Sequence, residues 1–193
     1  MSTLSLTDSI ISLCGELCHS LSYLSDSLSE PCTGCITHIS ECHRRATSLT
    51  ADTHAYLFSA FCPPLERAPS VLVCERLHAA VGAVFEAGLY LTDQNAPDRR
   101  RDAELQSLCR MAEQLHGIAL SLPRLIKASH PPPPPDTFRF HSEHTKCLAT
   151  HALHVVHNDK SEAERTLSRA LQRIGVSLCD AHAALLLLVA QSI

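Results

Sequence analysis

An all-α fold, a single antiparallel bundle of five or six helices occupying residues 1–193, is what this sequence predicts, and three observations predict it. Six glycines, three tyrosines, five phenylalanines and no tryptophan leave little turn chemistry or cross-strand aromatic material for a sheet. Apolar residues recur in steps of four and three, which lays one stripe along a helix. Prolines fall between those stripes, where the missing amide ends one helix or opens the next. A chain of this length buries roughly 70% of its extended surface, enough for a core without staples.

Ser5 followed by Asp8 has the capping-box form, in which a hydroxyl and a carboxylate satisfy orphan amides at a helix start. The first helix is expected over about residues 6–29, with Leu6, Ile10, Cys14, Leu17, Leu21, Leu24 and Leu28 inward, ending before Pro31. The second carries Cys35, Ile36, Ile39, Cys42, Ala46 and Leu49, continues through Tyr56, Leu57, Ala60 and Phe61, and stops at Pro63 and Pro64. Thr50 leaves open whether this segment is one helix or two. A third follows Pro69, with Val71, Cys74, Leu77, Val81, Val84, Phe85 and Leu91 inward, and residues 93–98 read as a loop.

The fourth helix is expected from about Pro97 to Leu122 on Leu105, Leu108, Cys109, Ala112, Leu115, Ile118 and Ala119, with Pro123 kinking or ending it. Within residues 129–137, Pro131–Pro135 is extended polyproline, a stiff connector of about 3.1 Å per residue. Docking on an SH3 or WW domain is the competing use, but no flanking arginine sets a ligand's polarity. A histidine-rich helical segment, His141 to His157, places Cys147, Leu148, Ala152 and Val155 inward. Ser161 and Glu164 repeat the capping-box form ahead of Leu167, Leu171, Ile174, Leu178, Ala181, Leu185 and Leu188.

The formal charge of -4, from 16 basic and 20 acidic residues, gives no footprint for nucleic acid or an anionic membrane. The first basic residue is Arg44, so no targeting signal is expected at the amino terminus, and cytoplasm or nucleus is the expected compartment. The longest unbroken apolar run, Ala183 to Ala190, is far short of the roughly 20 residues of a membrane span. Ten cysteines are therefore expected to stay reduced.

Cys32, Cys35, His38, Cys42 and His43 have the ligand chemistry of a zinc site, and Cys35, His38 and Cys42 share a helical face. The second ligand pair of a knuckle is missing nearby, and Cys35 and Cys42 also occupy the apolar stripe, so packed thiols are expected and no metal is assigned. His151, His154 and His157 would need a fourth ligand from elsewhere. Arg99, Arg100 and Arg101 suit a phosphate, but Asp98, Asp102 and Glu104 neutralise them and a solvated first turn is expected. No nucleotide-binding, hydrolase or metalloprotease motif occurs, so no catalytic residue and no cofactor are assigned. The run Leu185-Leu186-Leu187-Leu188-Val189 is apolar on all sides, and Leu185, Leu188 and Val189 are the expected interaction residues, for a partner helix or self-association.

Landmarks from Arg44 to His182 fall in a recognisable order: Thr47 to Thr50, Leu57-Phe58-Ser59 before a proline break, Cys74-Glu75-Arg76-Leu77-His78-Ala79-Ala80-Val81, Tyr90, Cys147, Asn158-Asp159-Lys160 and Asp180-Ala181-His182. In this order and spacing the chain resembles the amino-terminal helical domain of the cyclin-D-binding (Maid-like) family, which continues into an acidic stretch and a second helical half. The resemblance implies a bundle in the style of vinculin and catenin, acting by protein binding in cytoplasm and nucleus. Its implied partners are D-type cyclins and helix-loop-helix regulators, with a role restraining cell cycle and transcription. The expected function is thus a non-enzymatic interaction module. A structural subunit of a larger assembly and a Cys/His metal-binding protein are the alternatives.

Overall fold

The computed structural model describes residues 5–29, 33–60, 67–92, 102–125, 143–147 and 162–191. These form α1 (Leu6–Ser29), α2 (Thr33–Ser59), α3 (Arg67–Thr92), α4 (Asp102–Leu125), a short α5 (residues 143–147) and α6 (Glu162–Gln191), with no strand among the described residues.

The amino-terminal capping box forms as its residue types dictate. Ser5 Oγ accepts the Asp8 amide at 3.2 Å, and the Asp8 carboxylate accepts the Ser5 amide at 3.2 Å and the Ser5 hydroxyl at 2.6 Å. All seven stripe residues of α1 are buried, and so is Leu13 beside them. α2 is one helix. The Thr50 hydroxyl donates to the Ala46 carbonyl at 2.8 Å and Thr53 donates to Leu49 at 2.6 Å, so each buried hydroxyl is satisfied inside the helix and no break results.

α3 begins two residues ahead of Pro69, which sits in the first turn where no amide is required. Its buried surface is wider than one stripe: Val73, Ala80, Ala83 and Ala87 join Cys74, Leu77, Val81 and Val84, while Val71, Phe85 and Leu91 are only partly buried. The reason is that α3 touches α1, α2 and α6 together. α4 is described from Asp102, with Asp102 and Glu104 in its first turn beside the positive end of the helix dipole, and the expected start near Pro97 lies outside the described residues. Pro123 is inside the described helix and does not end it.

α1, α3, α6 and α4 close a ring in which each touches the next, and α2 lies on the α1–α3 side, touching only those two. Pairings fix the directions. Glu16 with Arg45 and Tyr23 with His38 make α1 and α2 antiparallel. His43 with His78 and Ile36 with Gly88 do so for α2 and α3, and Arg76 with Asp180 and Glu86 with Arg173 for α3 and α6. His19 beside His116 and Asp26 beside Cys109 do so for α1 and α4. It follows that α1 and α3 run the same way, as do α4 and α6. The like-directed pair α1 and α3 is joined by a return path along the bundle. Helix α2 is that path. Between α4 and α6 only α5 is described: Glu143 pairs with Arg110 of α4 at 3.5 Å, and Cys147 is buried near Glu104 and Cys179. The proline-rich connector, Leu148, Ala152, Val155 and Ser161 of the second capping box lie outside the described residues.

One apolar core runs through all these helices. Its residues make two helices, Arg67–Leu91 and Arg165–Ala190, long and apolar enough by composition to cross a membrane, a length that counting unbroken apolar runs misses. Half of each span is buried inside the bundle.

Candidate interaction surface

α6 carries two lines of residues on opposite sides. The inner line, Leu167, Leu171, Ile174, Leu178, Ala181, Leu185 and Leu188, is buried against α3 and α4. The outer line is Arg165, Arg169, Gln172, Val176, Ala183, Leu187 and Ala190, all exposed. At 3.6 residues per turn these seven fall within about 40° of one direction. The outer line is cationic and polar in its first half and apolar in its second, where Val176 is 56% and Leu187 44% exposed.

The expectation that Leu185, Leu188 and Val189 form an interface is corrected by this geometry. They are 1%, 0% and 6% exposed and belong to the chain's own core. The apolar run has an inside and an outside, and Leu187 is its outward member.

Among the described residues, Cys35, His38, Cys42 and His43 of α2 are not set to hold a metal ion. Cys35 and Cys42 are buried, Cys42 Sγ accepts from Arg45 Nη2 at 3.5 Å, and His38 is exposed and stacked on Tyr23 with centroids 4.7 Å apart. Cys32 lies outside the described residues, as do Arg99, Arg100, Arg101, His151, His154 and His157. No group of three or more His, Cys, Asp or Glu side chains set to hold a metal ion occurs among the described residues.

Sequence reasoning also missed a histidine seam between α2 and α3. His43 stacks on Phe85 at 5.0 Å and lies parallel to His78 at 5.7 Å, and Thr47 Oγ1 is 3.1 Å from His78 Nε2. Burial pulls the His78 imidazole below its usual range, with His43 and then His54 adding like charge. The signal was the spacing of His43, Thr47 and His54, which keeps them near one side of a helix.

A polar cleft of about 330 Å³ opens between α1 and α4, lined by Cys18, Ser22, Asp26, Cys109, Arg110 and Glu113 among others. Burial pushes the Cys18 thiol up to about 12, with Glu113 and Cys109 adding to it, and Cys109 up to about 11. Both thiols are protonated near neutrality and supply no nucleophile there.

A scan against protein-family models finds no match for this chain, and a search of curated proteins finds no relative.

Proposed function

We propose that this chain is a non-enzymatic protein-interaction module whose docking surface is the outer line of α6, and that its occupant is a helix of a partner protein. One observation carries the reading. The same helix that buries a complete inner stripe also presents Val176, Ala183, Leu187 and Ala190 in a row on its outside. From Val176 to Ala190 the row is about 21 Å long at 1.5 Å per residue, four helical turns. An amphipathic helix laid against such a row is a recurrent mode of protein recognition.

The resemblance to cyclin-D-binding proteins narrows the partner to D-type cyclins and helix-loop-helix regulators, met in cytoplasm and nucleus. Two of its landmarks meet in space: Arg76 of α3 lies 3.5 Å from Asp180 of α6. Cys74, Leu77, Val81, Ala181 and His182 are buried, so these landmarks bear on packing and leave recognition to exposed residues. Titrating the purified chain with a D-type cyclin and with a helix-loop-helix domain tests the reading. Binding by wild type and its loss in Val176→Glu/Leu187→Glu is expected. Equal binding by the variant would remove the α6 surface from the proposal.

A further inference from the structure

We propose that α2 is a strap that opens ahead of the rest of the bundle, and that a proton taken up by the histidine seam between α2 and α3 promotes this opening. The topology sets it up. α1, α3, α6 and α4 close a ring in which each touches the next, so four helices enclose the core without α2, which touches only α1 and α3 among the described residues. The apolar grip of α2 is also weak. Its buried apolar side chains are Cys35, Ile39, Cys42, Ala46 and Leu57, of which only Ile39 and Leu57 are large aliphatics, whereas the shorter α1 buries Leu13, Leu17, Leu21 and Leu24 on consecutive turns. Elements with few buried apolar contacts are the ones that open locally.

His78 of α3 lies parallel to His43 of α2 at 5.7 Å, with its Nε2 3.1 Å from Thr47 Oγ1. The Thr47 hydroxyl donates to the His43 carbonyl at 2.9 Å, so toward His78 it accepts, and Nε2 carries the hydrogen of the neutral ring. A further proton goes to Nδ1, which has no acceptor among the described residues. His43 can carry charge over the Phe85 ring, 5.0 Å away, but His78 stacks on no ring except His43 among the described residues. Burial, then His43 and His54, hold the His78 imidazole below its usual range. Opening restores the ordinary value, so the proton favours the open state as pH falls below 6.5.

The other charges around α2 do not compensate. On α2 itself Glu41 is engaged by Arg44 and Arg45, and Asp52 is exposed and makes no ion pair with a described residue. On α3 Glu86 is engaged by Arg173 and Arg76 by Asp180, Arg67 donates to the Ala60 carbonyl, and Glu75, exposed one turn before His78, makes no ion pair with a described residue. On α1 Glu16 is engaged by Arg45, while His19 and Asp26 lie toward α4. His38 stacks on Tyr23 of α1, and an aromatic face accepts a charged imidazole, so the acid-sensitive contacts of the strap are those with α3.

The test is hydrogen–deuterium exchange of the full chain at pH 7.5 and pH 5.5, followed by mass spectrometry and corrected for the intrinsic pH dependence of amide exchange. Peptides of α2 between Ile36 and Leu57 should open about fivefold more at pH 5.5, while peptides of α4 and α6 keep their protection. In His78→Gln, whose amide still reaches Thr47, the α2 gain should disappear. In His116→Gln, on the α1–α4 seam, it should persist. Circular dichroism first establishes that each variant keeps its helices, and the comparison of α2 with α4 and α6 in wild type stands without either variant. Equal loss of protection in every helix at pH 5.5 would mean global unfolding and overturn the strap. An α2 gain that survives in His78→Gln would overturn the seam as its trigger, and no α2 gain in wild type would overturn both.

Discussion

Arg45 of α2 grips Glu16 of α1 through two parallel hydrogen bonds, Nε to Oε1 and Nη2 to Oε2, each 2.8 Å long. The pair clamps the first hairpin midway along both helices. Glu41 also accepts from Arg45 at 3.3 Å, and the guanidinium is held above its usual range first by the hydrogen bonds it donates to Glu16. A double-mutant cycle of Arg45→Ala and Glu16→Ala, read by urea unfolding, should give a coupling of about 1 kcal/mol, modest because the guanidinium is half exposed. The neighbouring Arg44–Glu41 pair is fully on the surface, and its cycle should give no measurable coupling.

Glycine substitutions should separate open from crowded helix positions. A Cβ at Gly15 meets nothing within 4 Å, so Gly15→Ala should raise stability by about 0.5–1 kcal/mol through helix propensity alone. At Gly88 the same atom would lie 3.0 Å from Ile36 Cδ1 and 3.2 Å from Ile39 Cδ1. Gly88→Ala should therefore show little or none of that gain, and Ile36→Val should restore part of it. Equal stabilisation at both sites would mean that α2 and α3 pack less closely than described.

The histidine seams set a pH dependence near neutrality. His78 is pulled below 6.5 by burial and then by His43 and His54, and His116 likewise by burial and then by His19. The unfolded chain takes up these protons first, so their contribution is complete above pH 6.5 and is lost as pH falls below it. Urea midpoints should drop between about pH 7.5 and pH 5.5, and His78→Gln should shrink the drop. Glu41 and Glu143 act in a separate, more acidic window. They are held below 4.5, chiefly by Arg44 and Lys146 respectively, so their contribution is present above that value and lost as pH falls further.

Thiol labelling should report the bundle's opening. Burial raises Cys18, Cys74 and Cys147 to about 12 and pushes Cys14 up as well. Near pH 8 the buried Cys14, Cys74 and Cys147 should react with an aromatic disulfide only as fast as the chain unfolds, and Cys18, at the cleft between α1 and α4, should react sooner, as followed by mass-spectrometric mapping. Immediate modification of Cys14 or Cys74 in the native protein would contradict the packing of α1 on α3.

The sequence was most legible where a helix buries a single stripe. The inner residues of α1 and α6 follow from spacing alone. α3 escaped that reading because three neighbours bury Ala80, Ala83 and Ala87 as well, and alanine carries little weight in a periodicity. Thr50 was ambiguous because nothing in its neighbours' identities says that its hydroxyl turns back to Ala46. Helix direction was not legible either, since a stripe reads the same both ways. The three residues singled out for an interface are buried, and the proposed surface lies on the opposite side of the same helix. Leu185 to Val189 is uniformly apolar, and only the position of α3 and α4 separates the inward Leu188 from the outward Leu187.

The most direct test of the interaction role is affinity purification of the tagged chain from its native cell beside Val176→Glu/Leu187→Glu, both exposed changes that leave the core intact. Partner proteins recovered with wild type and lost with the folded variant are the predicted result. The same proteins recovered with both, or none with either, would contradict it.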